Sequence, residues 1–72
     1  MNEKIDKLAV IEIKKEAAKI IKANTEIRYG QAVFNAAYTM FPCATDKLRN
    51  TQYDCYYHDD RINDFLTKLI NC

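Results

Sequence analysis

Cys55 and His58, with two residues between them, are the tightest Cys/His pair in this sequence and the natural starting point for a metal site. Cys43 and Cys72 can be added to complete a set of four ligands. Zinc fingers and ribbons bring their ligands as two closely spaced pairs, and here the second pair is missing. We therefore expect no metal, with Cys55 and His58 as weak candidates. The same residues can be drawn as a catalytic set, with His58 as base and either Cys55 as nucleophile or Asp54, Asp59 and Asp60 as acids. Nothing in the sequence supplies an oxyanion site, and 72 residues rarely enclose a substrate cavity. The expectation is a protein that is not an enzyme and carries no cofactor.

Hydrogen-bonding groups are more informative than nucleophiles. Arg28, Gln31, Asn35 and Tyr38 each come three or four residues after the last, so they share one side of a helix. A central helix tolerates such groups only where they find partners, because an unpaired buried amide costs roughly 1–3 kcal/mol. The nearest source of partners is Arg49-Asn50-Thr51-Gln52-Tyr53-Asp54. Two readings are open. Arg28, Gln31 and Asn35 pin this loop to the helices, through an Arg28–Asp54 or Arg49–Asp54 pair, or some of them face a groove and bind a partner or a small polar ligand. Tyr53, Tyr56 and Tyr57 crowd the same stretch, and tyrosine suits interfaces because it joins a rigid apolar ring to one polar tip. It also completes small cores and stacks on nucleobases. The residues singled out for binding or loop-pinning are Arg28, Gln31, Asn35, Arg49, Asp54, Tyr56 and Tyr57.

The elements that must position these groups read as helices. Over about residues 2–22, Ala9, Val10, Ile13, Ala17, Ile20 and Ile21 fall within a sector of about 120°. Glu3 sits four residues before Lys7, a favourable helical pair. Asn24, which tolerates a left-handed C-terminal position, and Thr25, which can cap the next helix, mark its end. The opposite face gathers Lys4, Lys7, Lys14, Lys15 and Lys22 around Leu8, Ile11 and Ala18. It reads either as a solvated lysine face or, through Leu8, Ile11, Lys15 and Ala18, as a surface for another subunit or a partner.

A second helix is expected over about 27–41, with Tyr29, Val33, Ala36, Ala37, Met40 and Phe41 on its buried face. Gly30 in its first turn would permit a close helix crossing. Pro42 ends it. Within the loop at 42–58, Thr45-Asp46 before Lys47 resembles a cap, so a short helical turn is expected there, with Asn50–Tyr57 an ordered loop or at most a brief extended segment. The last helix, about 59–71, carries the stripe Ile62, Phe65, Leu66 and Leu69 behind acidic residues suited to its N-terminus. The fold class is all-α: one compact three-helix domain over 1–72, with an ordered loop before the last helix.

Composition narrows the function. Eleven Lys and Arg nearly balance ten Asp and Glu, so no global field draws the chain to nucleic acid. A helix-turn-helix would need a basic recognition helix, whereas Tyr29–Thr45 carries no charge and the last helix is acidic at its start. No stretch approaches the ~20 apolar residues that span a bilayer, and the charged N-terminus is unlike a signal peptide. We expect a cytoplasmic protein with reduced thiols, since three cysteines make no secreted framework.

One resemblance adds to this. Arg28-Tyr29-Gly30-Gln31-Ala32-Val33-Phe34-Asn35, then Leu48 to Ile62 with Arg49-Asn50-Thr51, Asp54, Tyr56-Tyr57 and Asp59-Asp60, then Phe65-Leu66, resembles a group of small proteins encoded by phages, prophages and their bacterial hosts. That group reads arginine, an aromatic, Gly-Gln, apolar residues and Asn, and later Leu-Arg-Gly-Thr, an Asp before aromatics, an Asp and a Phe-Leu helix. The likeness covers about residues 25–70. Asn50 stands where the group has glycine, and Asn is the next best residue for a positive φ. No established activity attaches to the group, so the resemblance implies a setting, a small accessory protein of a mobile element, and no residue role. The resulting expectation is a non-catalytic protein that modulates a host factor by direct binding, counter-defence being one context, with self-association through the first helix also expected. The alternatives are a sponge for a small nucleotide-like ligand, with Arg28 and Arg49 on phosphate, and a nucleic-acid accessory protein using the helix-one lysines.

Overall fold

A computed structural model describes residues 6–71. All regular structure among them is helical: α1 (Lys7–Ala23), α2 (Tyr29–Met40), α3 (Pro42–Leu48), a 3-10 turn (Asp59–Arg61) and α4 (Ile62–Ile70). The expected start near Asn2, Lys4 and the Glu3–Lys7 pair lie outside the described residues, as does Cys72.

The described α1 begins where Asp6 caps it, its Oδ1 accepting from the Ala9 N–H at 3.0 Å. Its apolar sector faces inward as the spacing predicts. Ala9, Ile13 and Ala17 are buried, and Val10, Ile20 and Ile21 pack half-buried beside them. The helix ends at Asn24, but in extended backbone (φ −140°, ψ 92°) rather than the left-handed form expected. There Asn24 Oδ1 accepts from Glu26 N at 3.2 Å, a turn of its own that replaces the left-handed cap.

Thr25 does not cap α2. The N-cap of that helix is Arg28, which makes no side-chain cap bond. The cap arrives instead from the far end of the chain, where Asp59 Oδ1 accepts the Gly30 N–H at 3.0 Å. An acidic group at a helix N-terminus also complements the helix dipole. Gly30 is needed for this docking. A Cβ there would strike the Cys55 carbonyl oxygen and lie 2.9 Å from Asp59 Oδ1, so the close approach is to the 55–59 segment and not, as expected, to a crossing helix.

The buried side of α2 is wider than the predicted stripe. Val33, Ala36 and Ala37 are buried as expected, with Ala32 and Phe34 added, while Met40 and Phe41 are half-buried and Tyr29 is exposed. The breadth comes from position, since α2 has α1, α3 and the 3-10 turn all packed around it. Pro42 does end α2, and it also opens α3 as the first residue of that helix, where its missing N–H costs nothing. The expected short turn is thus a seven-residue helix. Thr45 lies inside it, fully buried and without a hydrogen-bond partner for its Oγ1, so it is no cap. In α4 the stripe Ile62, Phe65, Leu66 and Leu69 is buried throughout, and Phe65 lies 5.6 Å from Phe34, centroid to centroid.

Candidate functional site

Residues 49–58 fold as successive turns held by their own polar groups. Asn50 has φ 61°, the left-handed conformation that glycine would provide there. That reversal lets Asp54 reach back: its Oδ2 accepts from Asn50 N at 2.7 Å and its Oδ1 from Tyr56 N at 2.9 Å. Thr51 Oγ1 donates to the Leu48 carbonyl at 2.6 Å and accepts from Tyr53 N at 3.2 Å. Asp54 is thereby the organiser of the loop and pairs with neither Arg28 nor Arg49. Arg49 meets Asp46 instead, at 3.7 Å one helical turn back. Neither expected pair forms among the described residues: each Asp54 oxygen accepts a local backbone N–H, Arg49 turns back to Asp46, and Arg28 lies outside the cleft.

The predicted docking of α2 on this segment is present. Gln31 Nε2 donates to Tyr56 Oη at 2.6 Å, and the Tyr56 ring stands edge-on to Phe34 at 5.6 Å. A buried thiol makes a further bond, Cys55 Sγ donating to the Gly30 carbonyl at 3.4 Å. Tyr53 turns away from the other tyrosines toward α4, where Lys68 Nζ lies 5.3 Å from its ring centroid.

Between α2 and this segment lies an open cleft of about 450 Å³. Its aromatic walls are Phe34, Tyr38, Tyr56 and Tyr57. Asn35 and Thr39 contribute polar groups from α2, and Arg49, Asn50 and Asp54 from the loop. Tyr57 is 73 % exposed and packs edge-on against Tyr56 at 4.7 Å. The Arg49 guanidinium lies 5.1 Å from the Tyr38 ring centroid. Of the seven predicted residues, Asn35, Arg49, Asp54, Tyr56 and Tyr57 line the cleft and Gln31 fixes one wall from behind. Arg28 is exposed outside it, at the start of α2.

Sequence reasoning missed Phe34, the hub against which Tyr38, Tyr56 and Phe65 all pack. The signal was available in Phe34 and Tyr38, aromatic residues four apart on one helix. It also missed Thr39, which no motif marks.

The other candidates separate. Leu8 and Ile11 are 69 % and 48 % exposed, with Lys15 and Ala18 exposed beside them. On this face Lys15 makes an exposed contact of 3.9 Å with Glu12. Cys55 is fully buried, and burial, helped by the negative charges of Asp54 and Asp59, pushes its thiol up to about 12 from the usual 9.0. A thiol protonated at neutral pH is neither nucleophile nor ready ligand. His58 is exposed. Among the described residues no group of three His, Cys, Asp or Glu is placed to hold a metal ion, and no helix is long and apolar enough to cross a membrane. No family model matches the chain, and no curated protein or solved structure does either.

Proposed function

We propose that this chain is a non-catalytic binding protein of a phage or mobile element, and that it acts in the cytosol by occupying a protein of its host through the cleft between α2 and residues 49–57. The observation that carries this reading is the concentration of aromatic surface in that cleft, with Tyr57 and Tyr38 left open beside a preset polar frame. Recognition surfaces favour such anchors because a tyrosine loses little freedom on binding and buries much area. The resemblance to phage- and prophage-encoded proteins supports the setting, counter-defence being one context for it.

A nucleotide-like ligand is the second reading, favoured by the cleft volume, which falls in the roughly 300–1,000 Å³ range of small-molecule sites, and by its stackable rings. Its electrostatics are weaker support. Arg28 is outside the cleft, Arg49 already contacts Asp46 and Tyr38, and Asp54 sets a negative charge in the wall. The test is affinity capture from a bacterial lysate with wild type and Tyr57→Ala side by side. The reading expects a captured protein whose yield drops at least about tenfold with the variant. Equal capture by both would place the interaction elsewhere. Nucleotides that raise the melting temperature at millimolar concentration would move the assignment to the second reading.

A further inference from the structure

A second, smaller depression of about 230 Å³ adjoins the aromatic cleft. The two share Asn50, Asp54 and Tyr57, and the second adds Thr51, His58 and Arg61. Tyr57, the most exposed of the large apolar side chains described, therefore stands between an aromatic compartment and a polar one. Resting on the protein-binding reading above, we infer that the two form one groove for an extended segment of the partner, which places an aromatic side chain in the first compartment and a carboxylate in the second.

Charge and geometry select this occupant. Asp54 is the acidic residue common to both linings, and each of its oxygens already accepts a backbone N–H. Arg49 flanks it on one side and Arg61 on the other. Arg61 is half-buried and takes part in none of the ion pairs among the described residues. Such a guanidinium, lining a polar pocket, matches a carboxylate, which it can bind through two parallel hydrogen bonds. An extended chain places side chains i and i+2 on the same side roughly 6–7 Å apart, a spacing suited to straddling a single tyrosine ring. A phosphate chain fits less well. It carries several negative charges past Asp54, and of the two linings only Arg61 stands outside the ion pairs among the described residues to answer them.

The test uses the full chain labelled with ¹⁵N, with amide shifts monitored as probe is added. The probe is a blocked hexapeptide of Gly and Ser holding one Phe and, two positions later, one Asp. Companion peptides replace the Asp by Asn, the Asp by Lys, or the Phe by Ala, and AMP is run in parallel. The inference expects shifts at Asn35, Tyr57 and Arg61 together. It expects about three- to fivefold weaker binding for the Asn peptide and about tenfold for the Ala peptide or for Tyr57→Ala. Arg61→Glu should reverse the preference so that the Lys peptide binds better than the Asp peptide. Because the Asp-to-Asn swap is made in the probe, that arm does not depend on any variant folding. No shift at about 5 mM peptide, or tighter binding of AMP at the same amides, overturns the inference. Equal binding of the Asp and Asn peptides overturns it as well. If that occurs while lysate capture still depends on Tyr57, the two-compartment groove is wrong and the protein-binding reading stands.

Discussion

The outer face of α1 and the loop side of α2 both expose apolar groups among polar ones, yet they are built differently. On α1, Leu8 and Ile11 are exposed, and the ion pair beside them, Lys15 with Glu12, is itself solvent-exposed. Around the cleft, each tyrosine ring is braced by a neighbour. Tyr56 is held by Gln31 and Phe34, Tyr57 leans on Tyr56, and Tyr38 stacks on the buried Phe34. The contrast teaches that apolar exposure alone does not distinguish a recognition surface from a solvated one. Side chains already held in place do, because they reduce the ordering that binding must otherwise supply.

The sharpest way to break the contrast is at Gly30, whose absent side chain lets residues 55–59 lie on α2. Gly30→Ala forces a methyl group against the Cys55 carbonyl oxygen and Asp59. It should cost at least about 2 kcal/mol by chemical denaturation and loosen the tyrosine segment. An unchanged midpoint would mean the segment is not seated there.

Alkali attacks the same junction. The Cys55 thiol is pushed up to about 12 in the folded chain against an ordinary 9.0, so the native state holds this proton where the unfolded chain has released it. The stability it contributes is whole below about pH 9 and declines by up to roughly 1.4 kcal/mol per pH unit above it. Comparing unfolding of wild type and Cys55→Ala from pH 8 to about pH 11 isolates that slope, which should be missing in the variant.

At Asn50, where the left-handed turn begins, Asn50→Ala should cost about 1 kcal/mol, while Asn50→Gly should stay within about half of that. The ratio of the two melts checks the loop geometry independently of the cleft. The smallest effect belongs to α1. Ile11→Lys on its outer face should change stability by no more than about 0.5 kcal/mol and leave lysate capture as it was. Lost capture would transfer the binding role to α1.

Periodicity made the frame legible. The inward sectors of α1 and α4 could be read from Ile13, Ala17, Phe65 and Leu69, because an amphipathic helix must bury its apolar stripe. The meeting of α2 with the tyrosine segment was legible too, from polar groups that needed partners. The features that escaped depend on distant residues or on local backbone. Asp59 caps α2 from 29 residues away, which left Thr25 without a capping role, and Asp54 closes on its own backbone rather than on an arginine. Short-range spacing encodes neither. Pro42 was read as a stop, although the same locked φ that ends one helix begins the next.

All of this presumes that the amide on α2 and the phenol on the loop hold each other. A double-mutant cycle of Gln31→Leu and Tyr56→Phe, measured by urea unfolding, tests that bond alone. A coupling of about 1 kcal/mol is expected for the partly buried pair at 2.6 Å. Additive single effects, with no coupling beyond error, would contradict the docking on which the cleft depends.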